Sequence, residues 1–347
     1  MFSTESEISN IVIRGANWIG DAVMTLPAIQ ALREAFPHAN ISILSPERNA
    51  DVFRAQSAIN EVIAFETDGA AYTRARRQAK LIRERGFEVG IVLPNSFESA
   101  LALALANIPH RIGYATDFRK ALMTKAVPTP NWKRKRHESF YYLALIAEAF
   151  GTPMQNEAPK MLYSVPESAV AAGFELLAQY GRRPDAPLIA IGPGSTNSAA
   201  KRWPAQYFGR LCTLIARSYD VDFVLLGSSG DAAAAIETSA STDVKVIDLV
   251  GKTNLAEAIG ILSAAAAFIS NDMGLAHLGG AIGIPTAVIF GPTDDRTTRP
   301  LGAKVRIIRE PVECSPCMLR NCPIDHRCMT RLLPERVFEE IKNWVLN

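Results

Sequence analysis

A single carboxylate, Asp21, follows a glycine-containing loop that begins directly after an apolar, β-branched run. The loop, Gly15 to Gly20, has the Gly-x-x-x-x-Gly spacing of a phosphate-binding loop, but such a loop needs Lys where this chain has Asp21. A carboxylate there would repel phosphate, and the Gly-x-Gly-x-x-Gly spacing of a dinucleotide site is missing too. We therefore expect the loop to present one carboxylate at the carboxyl edge of a parallel sheet. The alternative is an N-cap or first-turn acid that offsets the helix dipole.

A second glycine loop follows another apolar run and precedes the cationic pair Lys201 and Arg202. Its backbone and two hydroxyls can be approached closely by a ligand's oxygens, and the cations can hold a diphosphate and stabilise it as it leaves. The alternative for the pair is a surface basic patch at a helix start. The loop residues are Gly192, Pro193, Gly194, Ser195 and Thr196.

A third candidate closes a predicted strand and opens a helix, where unpaired N–H groups can bind phosphate. Asp272 can accept hydrogen bonds from sugar hydroxyls there, or it can be an N-cap, with His277 a packed core residue. The helix start contains Met273, Gly274, Leu275 and His277. Three residues after another predicted strand are placed to reach a ribose or a base: Gly227, Ser228 and Asp231.

The elements that must position these residues alternate between apolar runs of strand length and helical patterns, which predicts α/β domains with doubly wound parallel sheets. Strands are predicted at 11–14, 41–44, 62–65 and 89–93, with helices at 22–36, 50–56, 72–85 and 97–106. A second series of strands follows at 188–191, 223–226, 246–249, 267–270 and 287–290. We predict two Rossmann-like domains, 1–165 and 188–333, with a proline-containing linker region at 166–187 that includes a helical stretch at 167–180.

After Pro334, apolar residues at three- and four-residue spacing predict an amphipathic terminal helix, 334–347. They are Val337, Phe338, Ile341, Trp344 and Val345. This apolar stripe needs a partner, and we expect the helix to cross back to the first domain.

The 347-residue chain carries a net charge of only +2, so no global field favours nucleic acid. Met1 to Asn10 lacks the features of a secretory signal, and no apolar stretch reaches the ~20 residues of a transmembrane helix. Two local basic runs remain, either acceptor-binding or simply solvated. The first contains Arg74, Arg76, Arg77, Lys80, Arg83 and Arg85, and the second contains Lys133, Arg134, Lys135 and Arg136.

Four cysteines lie close together near the C-terminus: Cys314, Cys317, Cys322 and Cys328. Their spacing can place four sulfurs about one structural zinc ion, and the alternative is a set of reduced thiols in or beside a loop. A disulfide-stapled secreted fold would normally be smaller and spread its cysteines, so a cytoplasmic location is favoured.

The motifs together resemble the inverting glycosyltransferase family that contains the ADP-heptose:lipopolysaccharide heptosyltransferases. The resemblance rests on Gly20-Asp21 with Thr25-Leu26-Pro27-Ala28, on Gly192-Pro193-Gly194, on Lys201-Arg202-Trp203-Pro204 and on Asn271 to His277. The runs 92–97, 108–113 and 200–204 are most similar to heptosyltransferase II, the branch that adds the second inner-core heptose. The resemblance covers nearly the whole chain.

This resemblance implies a GT-B fold, in which two Rossmann-like domains face each other across a cleft. The first domain would take a lipid A-Kdo-heptose acceptor at the inner face of the inner membrane, and the second would take ADP-heptose. Asp21 matches the family's catalytic base, Lys201 the residue on the diphosphate, and Asp272 the residue on the donor heptose. No cofactor is required for catalysis, and we expect a monomer that is peripheral to the membrane.

The acceptor-binding residues that we predict are Asn17, Trp18, Arg74, Arg76, Arg77, Lys80 and Asn95. A non-catalytic two-lobed nucleotide-sugar binding protein is the alternative from another class, although it would have no use for Asp21. A family member with a different heptose acceptor is a further alternative. A nicotinamide oxidoreductase is disfavoured because neither half has the glycine fingerprint.

Overall fold

The computed structural model describes residues 8–154, 157, 159–161 and 163–344. Residues 1–7 and Val345 of the predicted terminal stripe lie outside this range. The chain divides into two compact units, residues 1–164 and 165–347. Each unit contains its own six-stranded parallel sheet, which confirms the α/β, doubly wound fold class.

The first unit has strand order β3-β2-β1-β4-β5-β6, with every neighbouring pair parallel. The order reverses beside β1, and open α/β sheets bind ligands at the carboxyl ends of the strands at such a point. The strands are β1 (Asn10–Arg14), β2 (Asn40–Pro46), β3 (Glu61–Phe65), β4 (Val89–Val92), β5 (His110–Tyr114) and β6 (Lys125–Val127). The helices are α1 (Ile19–Ala35), α2 (Ala71–Ile82), α3 (Phe97–Leu105) and α4 (Glu138–Phe150).

The second unit repeats this order, as β9-β8-β7-β10-β11-β12. Its strands are β7 (Leu188–Gly192), β8 (Asp222–Leu225), β9 (Val246–Asp248), β10 (Ala267–Asn271), β11 (Thr286–Phe290) and β12 (Val305–Arg309). Its helices are α5 (Glu167–Gln179), α6 (Ala205–Ala216), α7 (Ala232–Ala240), α8 (Leu255–Ala264), α9 (Gly274–Ile282), α10 (Asp295–Thr298), α11 (Arg327–Thr330) and α12 (Pro334–Ile341).

Several elements differ from the sequence prediction. The helix expected at 50–56 is a 3-10 turn at Glu47–Val52, and β5, β6, β12 and α4 were not predicted. β6 has only three residues, and β12 contains two arginines among its five. Both strands are at sheet edges, where one side of the strand has no neighbour and the apolar signal is weak.

The segment 166–187, expected as a linker, contains α5, close to the helical stretch predicted at 167–180, and this helix packs on α8 as part of the second unit. Two glycines permit the close crossing. A Cβ at Gly260 would lie 1.8 Å from the Ala169 carbonyl oxygen, and one at Gly173 would lie 2.6 Å from the Gly260 carbonyl carbon. The two backbones therefore touch, which fixes this helix to the second sheet's layer.

The terminal helix also differs from expectation, because α12 packs on α6 in the second unit instead of joining the first. Val337 and Ile341 are fully buried in the second unit's core with Phe208 and Leu211. The Trp203 indole N–H donates to the Leu332 carbonyl at 2.8 Å just before the helix begins. The apolar stripe thus has its partner within the same unit.

Among the described residues, no helix is both long enough and apolar enough to span a bilayer.

Candidate functional site

Asp21 is the third residue of α1, at the carboxyl edge of β1, and it is half-buried. It is not the N-cap, since that position is Trp18, whose side chain makes no capping hydrogen bond. Tyr142 of α4 lies close enough to interact with the charge of Asp21. The pKa of the Tyr142 hydroxyl is raised well above its usual range, mainly by burial and then by this charge. The structure therefore places the carboxylate in a first helical turn, where the helix dipole favours it.

Arg14, which was not predicted as a site residue, binds the loop before Asp21 through hydrogen bonds. Arg14 is buried, and its guanidinium donates to Gln78 Oε1 at 2.9 Å, to Asn17 Oδ1 at 2.7 Å and to the Gly15 carbonyl. Its carbon Cζ lies 4.6 Å from the centre of the Phe65 ring. Burial lowers the pKa of Arg14, and the charge of Glu98 opposes this shift. An arginine ending an apolar strand was the available signal, because a buried charge needs a specific partner.

Asn17 and Trp18 are predicted acceptor residues in this same loop. The Arg48 guanidinium lies 5.0 Å from the centre of the Trp18 ring and donates to the Asn17 carbonyl at 3.0 Å. Asn49 donates to the Ala16 carbonyl at 3.1 Å. Trp18 is nonetheless about half exposed, 48%, so a fixed loop presents an aromatic ring to solvent beside Asp21.

The predicted basic acceptor residues on α2 divide into two groups. Arg74 donates to Glu98 through Nε at 2.9 Å, and Arg77 pairs with Asp68 at 3.0 Å. Arg76 and Lys80 are exposed, and the described residues offer neither one an ion pair within 4.0 Å. Arg76 Cζ lies 6.0 Å from the centre of the exposed Tyr72 ring, so among the described residues the partner of Arg76 is an aromatic ring and not a carboxylate.

Asn95 follows β4 at the same edge of the sheet as Asp21. Its side-chain oxygen accepts from the Tyr141 hydroxyl at 3.0 Å, and its carbonyl accepts from the Thr116 hydroxyl at 3.2 Å. Burial raises the pKa of Tyr141 to about 12, although the hydrogen bond to Asn95 opposes this. Asn95 therefore links the loops after β4 and β5, and its amide group remains at the edge predicted to bind the acceptor.

In the second unit, Lys201 and Asp272 form an ion pair, with Lys201 Nζ 2.8 Å from Asp272 Oδ2. The Asp272 side chain is nearly buried, 5% exposed, whereas that of Lys201 is 27% exposed. The same Oδ2 accepts from the Thr293 hydroxyl at 2.7 Å. Asp272 is not the N-cap of α9, which is Met273. Both members of the pair were predicted from the sequence, whereas Thr293, which lies beyond β11, was not.

The glycine loop after β7 is closely surrounded. A Cβ on Gly192 would lie 2.7 Å from Met273 Sδ, and one on Gly194 would lie 2.1 Å from Asp231 Cγ. Asn271 binds this loop to the strand ends beside it: its amide donates to the Pro193 carbonyl at 2.8 Å, while its oxygen accepts from the Trp203 N–H at 2.9 Å. Neither position therefore has room for a side chain, so both must be glycine.

Asp231 is almost fully buried and does not point outward as predicted for a ribose contact. Its Oδ2 accepts from the Ser228 N–H at 3.0 Å and from the Ser228 hydroxyl at 2.7 Å, and its Oδ1 lies 3.4 Å from Arg202 Nη2. Arg202 also donates to the carbonyl of buried Ser195 at 3.1 Å. Thr196 Oγ1 and Ser228 Oγ are 3.4 Å apart. Asp231 therefore joins the loops after β7 and β8.

These residues meet at the carboxyl ends of three neighbouring strands, β8, β7 and β10, where the strand order reverses. The first turn of α9, with Gly274 and Leu275, begins there and supplies unpaired backbone N–H groups. His277 is buried within α9, as its alternative interpretation predicted. The arrangement combines cations, hydroxyls and helix amides in the way that diphosphate binding requires.

The cysteine-containing segment supports the turn that carries Lys201. The Ala200 N–H donates to the Arg320 carbonyl at 3.0 Å, and His326 Nε2 lies 2.6 Å from the Ala200 carbonyl oxygen. The Met318 N–H donates to the Pro292 carbonyl at 2.8 Å, next to Thr293. One segment thus holds both of the loops that surround the Lys201–Asp272 pair.

The predicted zinc site at Cys314, Cys317, Cys322 and Cys328 is not formed. Among the described residues no group of three or more His, Cys, Asp or Glu side chains can hold a metal ion. Cys314 and Cys317 are exposed, whereas Cys328 is buried in the second unit's core. Burial, followed by the charges of the other three thiols, raises the pKa of Cys328 to about 11. The buried sulfur serves packing, which corrects the expectation of a ligand set.

Comparison with known proteins gives a consistent result. The family model described as glycosyltransferase family 9 (heptosyltransferase) matches residues 75–327. Lipopolysaccharide heptosyltransferase 2 of Salmonella typhimurium is 29% identical over 95% of this chain and 97% of its own length. Lipooligosaccharide heptosyltransferase 2 of Haemophilus influenzae is 30% identical over 86% of this chain and 88% of its own.

Solved structures show the same relationship. The structure of Escherichia coli ADP-heptose lipopolysaccharide heptosyltransferase II matches with a TM-score of 0.81 at 27% identity, covering 97% of this chain and 98% of that one. A family 9 glycosyltransferase from Veillonella parvula, 21% identical, shares the fold with a TM-score of 0.84 over 99% of both chains. These matches confirm the GT-B fold class, and the family match supports an enzyme over the non-catalytic binding protein. The chain is a glycosyltransferase and belongs to glycosyltransferase family 9, the heptosyltransferase family.

Proposed function

We propose that this glycosyltransferase moves a heptose from ADP-L-glycero-β-D-manno-heptose to the inner-core heptose of a lipid A-Kdo-heptose acceptor, with inversion at the anomeric carbon. The observation that carries the donor half of this proposal is the Lys201–Asp272 ion pair beside the first turn of α9. A cation next to a helix N-terminus suits a diphosphate, and a carboxylate beside it suits sugar hydroxyls.

In the proposed reaction, the Asp21 carboxylate takes the proton from an acceptor hydroxyl, and that oxygen attacks the donor anomeric carbon from the face opposite the diphosphate. The bond from the anomeric carbon to the diphosphate oxygen breaks, and ADP leaves with the electron pair. Lys201 and the amides at the start of α9 stabilise the negative charge that develops on it. A single displacement inverts the centre.

Asp272 has two successive roles in this proposal. Before donor binds, it neutralises Lys201 and holds it beside the loop after β11 through Thr293. When the diphosphate arrives it competes for the ammonium group, and Asp272 then accepts hydrogen bonds from the heptose hydroxyls while it keeps the Thr293 contact. The glycine loop packs tightly against Asp231, since any side chain at Gly194 would collide with it, and its backbone is proposed to line the diphosphate site.

The acceptor half rests on the loops after β1 and β4, where Asp21, Asn17, Trp18 and Asn95 lie at one sheet edge. Exposed Arg76 and Lys80 can attract an acceptor that carries phosphate and carboxylate groups. The enzyme would act at the cytoplasmic face of the inner membrane as a peripheral protein. A different heptose acceptor, as in heptosyltransferases I or III, is the alternative assignment.

The test is to mix purified protein with ADP-heptose and a one-heptose inner-core acceptor. We expect ADP release and a mass gain of one heptose on the acceptor, and neither when the acceptor is omitted. Release of ADP without the mass gain would contradict transfer, and transfer only to an acceptor that lacks the first heptose would favour the alternative assignment.

A further inference from the structure

Phe118 is fully exposed to solvent, although phenylalanine is normally among the most buried residue types. It lies in the loop after β5, and its backbone is left-handed with φ of 57°, as is that of Asp117 with φ of 48°. A bulky residue disfavours this conformation, and an exposed ring gains nothing from burial. Both costs indicate that the ring has a contact outside the chain.

The loop that carries Phe118 is well anchored. The next residue, Arg119, is buried and donates from Nε to the Tyr114 carbonyl at 2.9 Å and from Nη1 to the Pro94 carbonyl. Thr116 donates to the Asn95 carbonyl at 3.2 Å. The hydrogen bonds of Thr116 and Arg119, which precede and follow Phe118 in the loop, therefore fix the position of the exposed ring.

The surroundings of Phe118 are strongly basic. Between residues 117 and 136 Asp117 is the only acid, against seven bases: Arg119, Lys120, Lys125, Lys133, Arg134, Lys135 and Arg136. Lys120, Arg134 and Lys135 are exposed. The second basic run is thus concentrated beside the exposed ring.

The basic run and the Phe118 loop are neighbours because both rest on the same pair of rings. Tyr114 stacks on Tyr141 with centroids 4.0 Å apart, and Lys133 Nζ lies 3.9 Å from the centre of the Tyr141 ring. Burial lowers the pKa of Lys133, and the charges of Glu138, Arg134, Arg119 and Asp117 also act on it. The two segments therefore form one surface.

We propose that Phe118, Lys120, Arg134 and Lys135 form a docking surface for an anionic lipid bilayer, in which the ring enters the boundary of the acyl region and the cations contact the headgroups. A bilayer offers an apolar layer directly beneath negatively charged headgroups. The apolar layer suits the exposed ring, and the headgroups suit the cations around it. The surface follows β5, at the same sheet edge as the loops after β1 and β4. The value of this placement for catalysis rests on the proposed function, but bilayer binding itself does not.

The test is flotation of the full chain with acceptor-free vesicles, either equimolar phosphatidylglycerol and phosphatidylcholine or phosphatidylcholine alone. We expect binding to the anionic vesicles that weakens as salt is raised. The variants Lys120→Gln and Lys135→Gln should each weaken binding roughly fivefold. Phe118→Asn should weaken it about tenfold or more, and Phe118→Leu should retain most of it.

Phe118→Asn also separates docking from folding. Asn tolerates the left-handed conformation better than Phe, so its thermal midpoint should equal or exceed that of the wild type while vesicle binding falls. The matched controls are Ile236→Asn and Lys304→Gln, which remove an exposed apolar side chain and an exposed cation from the second unit. Both should bind vesicles as the wild type does.

Equal binding of the wild type to both kinds of vesicle would overturn the proposal, as would unchanged binding of Phe118→Asn. If Phe118→Asn bound vesicles as the wild type does but lost turnover on a water-soluble acceptor, the proposal would also be overturned, because the surface would then contact the acceptor sugar. A wild type that binds anionic vesicles but transfers no heptose would leave docking supported and would contradict the proposed function alone.

Discussion

The Lys201 ammonium lies 2.8 Å from the Asp272 carboxylate, on the oxygen that also accepts from the Thr293 hydroxyl. One carboxylate thus connects the loop after β7 with the loop after β11. Because Asp272 is nearly buried, the lysine is already held where a diphosphate at the start of α9 would need it, which limits the reorganisation that accompanies donor binding.

Lys201→Gln should lower turnover about 10²-fold or more, because the developing charge on the leaving diphosphate loses its cation. ADP affinity, measured by calorimetry, should fall as well. The matched control is Lys252→Gln, which removes an exposed lysine paired with Asp248 in the same unit and should leave both quantities unchanged. Turnover of Lys201→Gln within about threefold of the wild type would contradict the assignment.

Gly194→Ala should weaken donor binding strongly, because its Cβ would lie 2.1 Å from Asp231 Cγ and displace the residue that joins the loops after β7 and β8, where the donor is proposed to bind. The free energy of unfolding should fall by roughly 1–3 kcal/mol, as in other overpacked interiors. Gly230→Ala is the control in a neighbouring loop, where the nearest atom would be 3.7 Å away. Equal donor affinities of the two variants in a titration would exclude the proposed steric role of Gly194.

His326→Ala should raise the donor Michaelis constant, since the variant loses the contact at 2.6 Å that holds the Ala200 carbonyl next to Lys201. His326→Gln can donate a hydrogen bond from its amide and should recover much of the loss. Cys317→Ser, at an exposed position in the same segment, serves as control. If His326 had only a structural role, both His326→Ala and His326→Gln would lower the thermal midpoint and leave the donor Michaelis constant unchanged.

The buried thiol of Cys212 predicts a loss of stability in alkali. Burial raises its pKa to about 12 from an ordinary value of 9.0, so the folded state keeps a proton that the unfolded state loses. Its contribution is fully present below pH 9 and is lost as the pH rises towards 12. By pH 10.5 the loss should reach ~2 kcal/mol. Urea unfolding under reducing conditions should show a flatter alkaline decline for Cys212→Ala, and parallel declines for the two proteins would refute this.

The sequence predicted the strand ends better than the helix packing, and the reason is physical. Buried parallel strands are continuous apolar runs, so the loops at Asp21, Gly194 and Asp272 could be assigned to one edge of each sheet. The contacts of α5 and α12 depend on which apolar faces meet in three dimensions. A pattern such as Gly173 with Gly260 becomes informative only when the crossing is seen.

Partners of polar residues were harder to predict than the residues themselves. Asp231 was expected to face a ligand, but its oxygens bind Ser228 and Arg202 within the chain. Thr293 was missed because a hydrogen bond between distant loops has no periodic signal in the sequence, whereas Arg14 was missed although a charge at the end of an apolar strand indicated a buried partner. The four cysteines show the same limit, since suitable spacing did not bring them together as a metal-ligand set, and Cys328 is buried whereas Cys314 and Cys317 are exposed.

Asp21 is the proposed base, and the decisive measurement of this claim is the turnover of Asp21→Asn. We expect a loss of about 10²-fold or more in heptose transfer with ADP-heptose affinity retained, because Asn cannot accept the acceptor proton. Glu34→Gln, which removes an exposed acid near the other end of α1, should transfer heptose at the wild-type rate. Near-normal turnover of Asp21→Asn would contradict the claim.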